Sequence, residues 1–175
     1  MNKPNQIRDL LSKSVSHIKK NPERLHIFAD NGVIVATGVK GNLSFEYQFT
    51  CTIILTDYSA HADTVIVPLL SWLGLHQPEL LNNPDKRESG FKFKAEILNH
   101  DTCDIEIQLA LTERVKVVST EQGLHVEHLP EPQFDDGSGI DWNTGGDVVV
   151  TVQVRDNAGE LVFTADITMN VKLAG

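Results

Sequence analysis

The sequence predicts an α+β fold: a mostly antiparallel sheet with long strands, packed by two helices and followed by a C-terminal β-hairpin. Three stretches carry that expectation. From Leu43 to Asp57, LSFEYQFTCTIILTD sets Leu43, Phe45, Tyr47, Phe49, Cys51, Ile53 and Leu55 at every second position, the period of a strand with one apolar face. Fully extended, it spans roughly 50 Å at ~3.3 Å per residue, about twice an ordinary sheet strand. From Thr64 to about Leu75, Val65, Ile66, Val67, Leu69, Leu70, Trp72 and Leu73 leave little polar surface, as in a helix buried against a sheet. Near the end, Asp147 to Arg155 and Glu160 to about Leu173 read as strong strands joined by the loop DNAG.

In chain order, Ile7, Leu10, Leu11, Val15 and Ile18 fall at helical spacing, and Asn21-Pro22 stops that helix. LHIFADNGVIVATG then reads as a hairpin, with Asn31-Gly32 supplying the positive φ angles of a tight turn. The long apolar rail follows as one strand, or as two divided by a bulge or break at Phe49 to Thr52. DYSAHAD turns the chain, with Ser59 or Asp63 as N-cap of the apolar helix. Pro68 sits in its first turns, and Gly74 and Pro78 mark its end. NNPDKRESG is a solvated loop. Phe91, Phe93, Ala95 and Ile97 alternate with Lys92, Lys94 and Glu96, and NHDTCD turns this strand into its partner carrying Ile105, Ile107, Leu109 and Leu111. GLHVEHL adds a short strand. The expected organisation is a domain over 1–132, a Gly/Asp-rich linker or loop over 133–146, and the hairpin over 147–175.

Composition bounds the function. A chain of 175 residues with 41% hydrophobic and 22% charged residues is an ordinary globular domain. A formal net charge of −9 argues against a broad nucleic-acid-binding face. Cys51 and Cys103 lack CxxC spacing and read as free thiols beside strands. No signal peptide is read at the start, and the nearly uncharged run Thr64 to Gln77 is too short to cross a bilayer.

The chemistry-bearing residues are sparse. His61 and Asp63, with His100, are the one metal-enzyme constellation to weigh, against a plainer reading as turn and cap residues. His100, Asp101, Cys103 and Asp104 share a turn, and Asp-rich turns are common without metal. His125 and His128 fall on opposite faces of a strand and make poor co-ligands. DDGSGIDWNTGGD holds hard oxygen donors without EF-hand spacing. No GxSxG, P-loop, HExxH or GxGxxG pattern occurs. Glu113 and Arg114, adjacent and opposite in charge, point to opposite faces of a strand, so a subunit contact is weighed against simple solvation. Trp72 reads as core.

Three blocks taken together, NPERLHIFADNG, VPLLSWLGLHQPE and DIEIQLALTERV, resemble the tail completion protein R family (GpR) of contractile-tailed temperate phages. The resemblance covers Met1 to Pro132; the Trp142 loop and the terminal hairpin match nothing in it. It implies a virion component without enzymatic role, and no cofactor or metal is expected. Such proteins act at the head-proximal end of the tail, finishing it and making it competent for head joining. By a wider, fold-level likeness to tail terminators, the chain is expected to form a ring, with a hexamer as the candidate size, contacting tail tube or sheath and the head–tail connector. It is expected in the virion tail, and in the host cytoplasm during assembly, with no specific nucleic-acid binding and no membrane.

On this reading the rail from Leu43 to Phe49 projects to pair with an adjacent subunit or the tube. Leu43, Phe45, Tyr47, Glu113 and Arg114 are the interface candidates. Asp57, Asp63, Asp101 and Asp104 are candidates to face an acidic channel past which DNA slides. The competing classes are the metal-dependent enzyme above and a carbohydrate- or protein-binding module using the C-terminal hairpin and Trp142.

Overall fold

A computed structural model of the chain describes residues 1–98, 101–121, 123–131, 140–155 and 158–173. Its centre is an antiparallel five-stranded sheet. β1 (Leu25–Ala36), β2 (Phe45–Tyr58), β4 (Cys103–Thr120) and β3 (Phe91–Ile97) follow in that spatial order, and β5 (Gly123–His128) also pairs with β4. The sheet alternates as its sequence does. Cys51, Ile53 and Leu55 on β2 and Ile105, Ile107, Leu109 and Leu111 on β4 turn to one face and are almost fully buried. Thr50, Gln108, Lys92 and Lys94 turn to the other.

The inner face is covered by α1 (Lys3–Ser14) and α3 (Asp63–His76). Ile7 and Leu11 on α1 and Val65, Leu69 and Leu73 on α3 close the core, each with no exposed surface. The antiparallel pair β6 (Ile140–Arg155) and β7 (Leu161–Leu173) contacts α1 and α3. That explains why α3 is apolar nearly all round: the sheet and the terminal hairpin both take surface from it.

Several local expectations are corrected. Asn31-Gly32 is not a hairpin turn. β1 runs through it as one strand, and the register steps from Asp30 opposite Thr50 to Val33 opposite Gln48. Asn31 has φ +52°, so its tolerance of the left-handed region serves a β-bulge. The reversal comes later, between Ala36 and Phe45, where Gly38 and Gly41 take φ +66° and +84°. The rail is one strand of 14 residues beginning at Phe45, and its register with β4 is unbroken from Phe45 to Leu55.

The first helix breaks at Val15, whose ψ of 109° separates α1 from the short α2 (Ser16–Lys20). Neither Ser59 nor Asp63 caps α3. Ala62 holds the cap position without a side-chain bond, and Thr64 Oγ1 donates to the His61 carbonyl at 2.6 Å. The expected loop after α3 contains α4 (Pro78–Asn82) and α5 (Pro84–Arg87), the latter started by Asn83 Oδ1 accepting from Asp85 N at 2.9 Å. β6 begins at Ile140, inside the segment expected as linker; the earlier part of that segment lies outside the described residues.

Candidate assembly surface

The strands outrun the helices. Inner-face side chains are buried along β2 from Phe49 to Leu55, but one turn of the pleat further, Tyr47 and Phe45 are only half-buried. Past Val115, β4 shows the same change at Val117 and Ser119. The pairing places Ile34 of β1 beside Tyr47 and Val126 of β5 beside Val117, on this same face. Ile34 is 65% exposed, Leu124 59% and Val126 56%. On the outer face of this end Val33, Val35 and Val118 are exposed among Glu46, Gln48, Lys116 and Glu127, and Val39 and Leu43 are exposed in the adjoining loop. This end of the sheet thus carries an apolar overhang on its inner face, far from the scattered single exposures of an ordinary surface.

The interface candidates fall on this overhang with distinct environments. Leu43 precedes β2. The rings of Phe45 and Tyr47 meet edge-on at 4.9 Å, and Tyr47 stacks towards His128 at 6.4 Å. The expected strand pairing of this rail with a neighbour has no edge to use: β1 lies along one side of Phe45–Gln48 and β4 along the other. What the rail offers outwards is side chains.

Glu113 continues the inner-face series of β4 and is 4% exposed. Its carboxylate accepts from Asn2 N at 2.9 Å, from Lys3 N at 2.8 Å and from His128 Nδ1 at 3.1 Å. Lys3, itself buried, sends its ammonium to the His76 carbonyl, to Gln77 Oε1 at 2.7 Å and to Glu131 Oε1 at 2.8 Å. Burial lowers the Lys3 pKa against the pull of Glu131 and Glu113. Gln77 Oε1 accepts from Thr112 N at 3.1 Å, satisfying β4 in the gap that β3 and β5 leave along its edge. Arg114, on the opposite face, is half-buried, donates to the Pro130 carbonyl at 3.1 Å and lies 3.8 Å from Glu131. This clasp ties the chain start, the end of α3, β4 and residues 130–131 together. Its signal is legible in the sequence: a carboxylate in register with Ile105, Ile107, Leu109 and Leu111 needs partners.

At the other end of the sheet, β2 finishes and β4 starts, which gathers Asp57, Asp101 and Asp104 there, with Asp63 at the start of α3. Asp57 has φ +49°, donates its amide to Asp104 Oδ1 at 2.8 Å and pairs with Arg24. Asp63 and His61 form a local pair at 3.3 Å; His100 lies outside the described residues, as does the side chain of Trp142. Among the described residues no three His, Cys, Asp or Glu side chains gather as a metal site, and no helix is long and apolar enough to cross a membrane. Cys51 is buried, which pushes its thiol up to about 12; half-buried Cys103 donates to the Tyr58 carbonyl at 3.6 Å.

Residues 1–132 match the family described as P2 phage tail completion protein R (GpR). A curated protein of Escherichia phage P2, the tail completion protein R, is 41% identical over 132 residues, covering 75% of this chain and 84% of the phage protein. No solved structure matches the chain.

Proposed function

We propose a role from one premise: this chain belongs to the P2 phage tail completion protein R (GpR) family. It is a structural component of a phage tail, acting in tail completion. Copies form a ring at the head-proximal end of the tail, with tube or sheath on one side and the head–tail connector on the other, and the ring makes the tail competent for head joining. The observation that carries this reading is the apolar overhang, in which Ile34, Leu124 and Val126 continue a core face into solvent. A sheet extended beyond its own helices suits a part whose remaining cover comes from neighbours. The opposite end, carrying Asp57, Asp63, Asp101 and Asp104, faces the DNA path, where like charge keeps phosphate from adhering.

The test is reconstitution. Tails assembled without this chain are supplied with purified protein and mixed with filled heads. The expected result is restored joining, with tagged protein at the head-proximal end in electron micrographs. Leu124→Asp with Val126→Asp, both at exposed positions, abolishes joining without loss of thermal stability. Label at the distal end, or joining indifferent to these substitutions, overturns the reading. For the DNA path, an anisotropy titration near physiological salt is expected to show no duplex binding; tight, salt-sensitive binding refutes it.

A further inference from the structure

Among the described residues, β1 and β3 are the two ends of the sheet order, and each leaves one side without a partner strand. We infer that these edges pair with each other between copies: residues Leu25–Asp30 of one subunit run antiparallel to Lys92–Ile97 of the next, in a register that sets Asp30 opposite Lys92. This deepens the ring reading and rests on it for the statement that copies associate.

Three features support that pairing: the first gives its sense, the second its phase and the third its register. The first is strand sense. β1, β2, β4 and β3 alternate in direction, so a neighbour placed edge to edge in the same orientation presents β3 antiparallel to β1.

The second is the phase of the backbone bonds. Gly90 O accepts from Ala110 N at 2.8 Å and Leu98 N donates to Thr102 O at 3.1 Å. Even-numbered residues of β3 therefore turn their polar groups to β4, and Phe93, Ala95 and Ile97 turn theirs outwards. Carried through the registers of β4 and β2, the same alternation turns Leu25, Ile27 and Ala29 outwards on β1. Arg8 already donates to the Leu25 carbonyl, at 3.4 Å. Setting Asp30 opposite Lys92 brings Leu25, Ile27 and Ala29 opposite Ile97, Ala95 and Phe93, outward groups against outward groups.

The third is side-chain complementarity. On the polar face the register pairs Asp30 with Lys92, Phe28 with Lys94, and His26 with Glu96. A slip of two residues one way sets His26 against Lys94 and leaves Asp30 opposite Gly90; the other way keeps Asp30 against a lysine, Lys94, but sets Phe28 against Glu96 and His26 against Leu98. On the apolar face, Phe93 and Ile97, 65% and 81% exposed, lie over Ala29 and Leu25. The bulge at Asn31-Gly32 ends the straight part of β1 where the partner strand of seven residues runs out. The contact is heterologous, one edge against a different edge, which is the kind that closes into rings.

Disulfide trapping tests this. Asp30→Cys and Lys92→Cys are placed in one chain with Cys103→Ser. Within a subunit the two positions lie three strand spacings apart, about 14 Å, beyond the ~7 Å reach of a disulfide. Between subunits they are a non-hydrogen-bonded pair, the closest kind. Mild oxidation is expected to give a ladder of covalent multimers that needs both cysteines and is absent for Asp30→Cys with Glu96→Cys. In parallel, Lys92→Asp raises the concentration for half-association about tenfold, and adding Asp30→Lys restores it. An oligomer by light scattering that neither cross-links nor answers to the charge swap overturns this interface and leaves the ring standing. A chain that stays monomeric at every concentration and on tails overturns both.

Discussion

Replacing Glu113 by Gln keeps the side chain's shape and removes its charge at a position 4% exposed. The native carboxylate accepts from Asn2 N, Lys3 N and His128 Nδ1 within 2.8–3.1 Å. A glutamine retains one acceptor oxygen and turns an NH₂ group towards backbone donors. One or two charge-assisted bonds are lost, each of about 1.5–3 kcal/mol, and buried donors are left unpaired. The expected cost is ~2–4 kcal/mol, or roughly 4–16 °C in Tm for a domain of this size. Arg114→Gln is the paired control. Its partners are the Pro130 carbonyl and Glu131 at 3.8 Å, and its side chain is 40% exposed, so about 1 kcal/mol or less is expected. Urea denaturation followed by circular dichroism, at concentrations where the chain is monomeric, gives both numbers. A Glu113→Gln cost below about 1 kcal/mol, or equal to that of Arg114→Gln, would refute the clasp as a structural tie.

Other outcomes follow from the same structure. Gly90→Ala places a Cβ 2.6 Å from Leu80 Cδ1 and 2.8 Å from the Lys86 carbonyl, so thermal melts are expected to show a cost of ~1–3 kcal/mol from overpacking; a neutral variant contradicts that packing. Burial, aided by Arg24 at His17 and by Lys3 at His76, lowers both histidine pKa values below 6.5. The unfolded chain then binds more protons than the folded one just below that pH, so stability falls on acidification from pH 7 to 5. Denaturation midpoints at both pH values check this, with His76→Gln flattening the slope. A chain ending at Pro132 is expected to keep a cooperative thermal transition at a lower midpoint. The described core cluster is drawn from residues before that point, while α1 and α3 lose the cover of β6 and β7. A non-cooperative melt shows that the hairpin is integral to the core.

The elements that spoke through periodicity were legible: the apolar α3, the alternation of β3 and β4, and Trp72 at 6% exposure. The bulge was not, because a turn and a bulge use the same positive φ at Asn31, and only the partner strand decides between them. Nor was the position of the rail. One strand's pattern tells which face is buried but not whether its edges are taken, and β2 lies between β1 and β4. The apolar residues of β5 announced a strand without announcing that none of the described helices covers it. The opposite facing of Glu113 and Arg114 was legible from the alternation of β4, but not that Asn2, Lys3 and His128 meet the Glu113 carboxylate on the inner face.

The clasp also determines how this protein can be rewired. Lys3 Nζ lies 2.8 Å from Glu131 Oε1, and Asn2 N reaches Glu113 on the strand that leads there. The chain's beginning and residue 131, near the end of the segment shared with the phage P2 protein, therefore lie side by side. A short linker between them gives a circular permutant, with new ends opened in the exposed loop between Ala36 and Phe45. By the same geometry, whatever is fused after residue 131 departs from beside the chain's beginning.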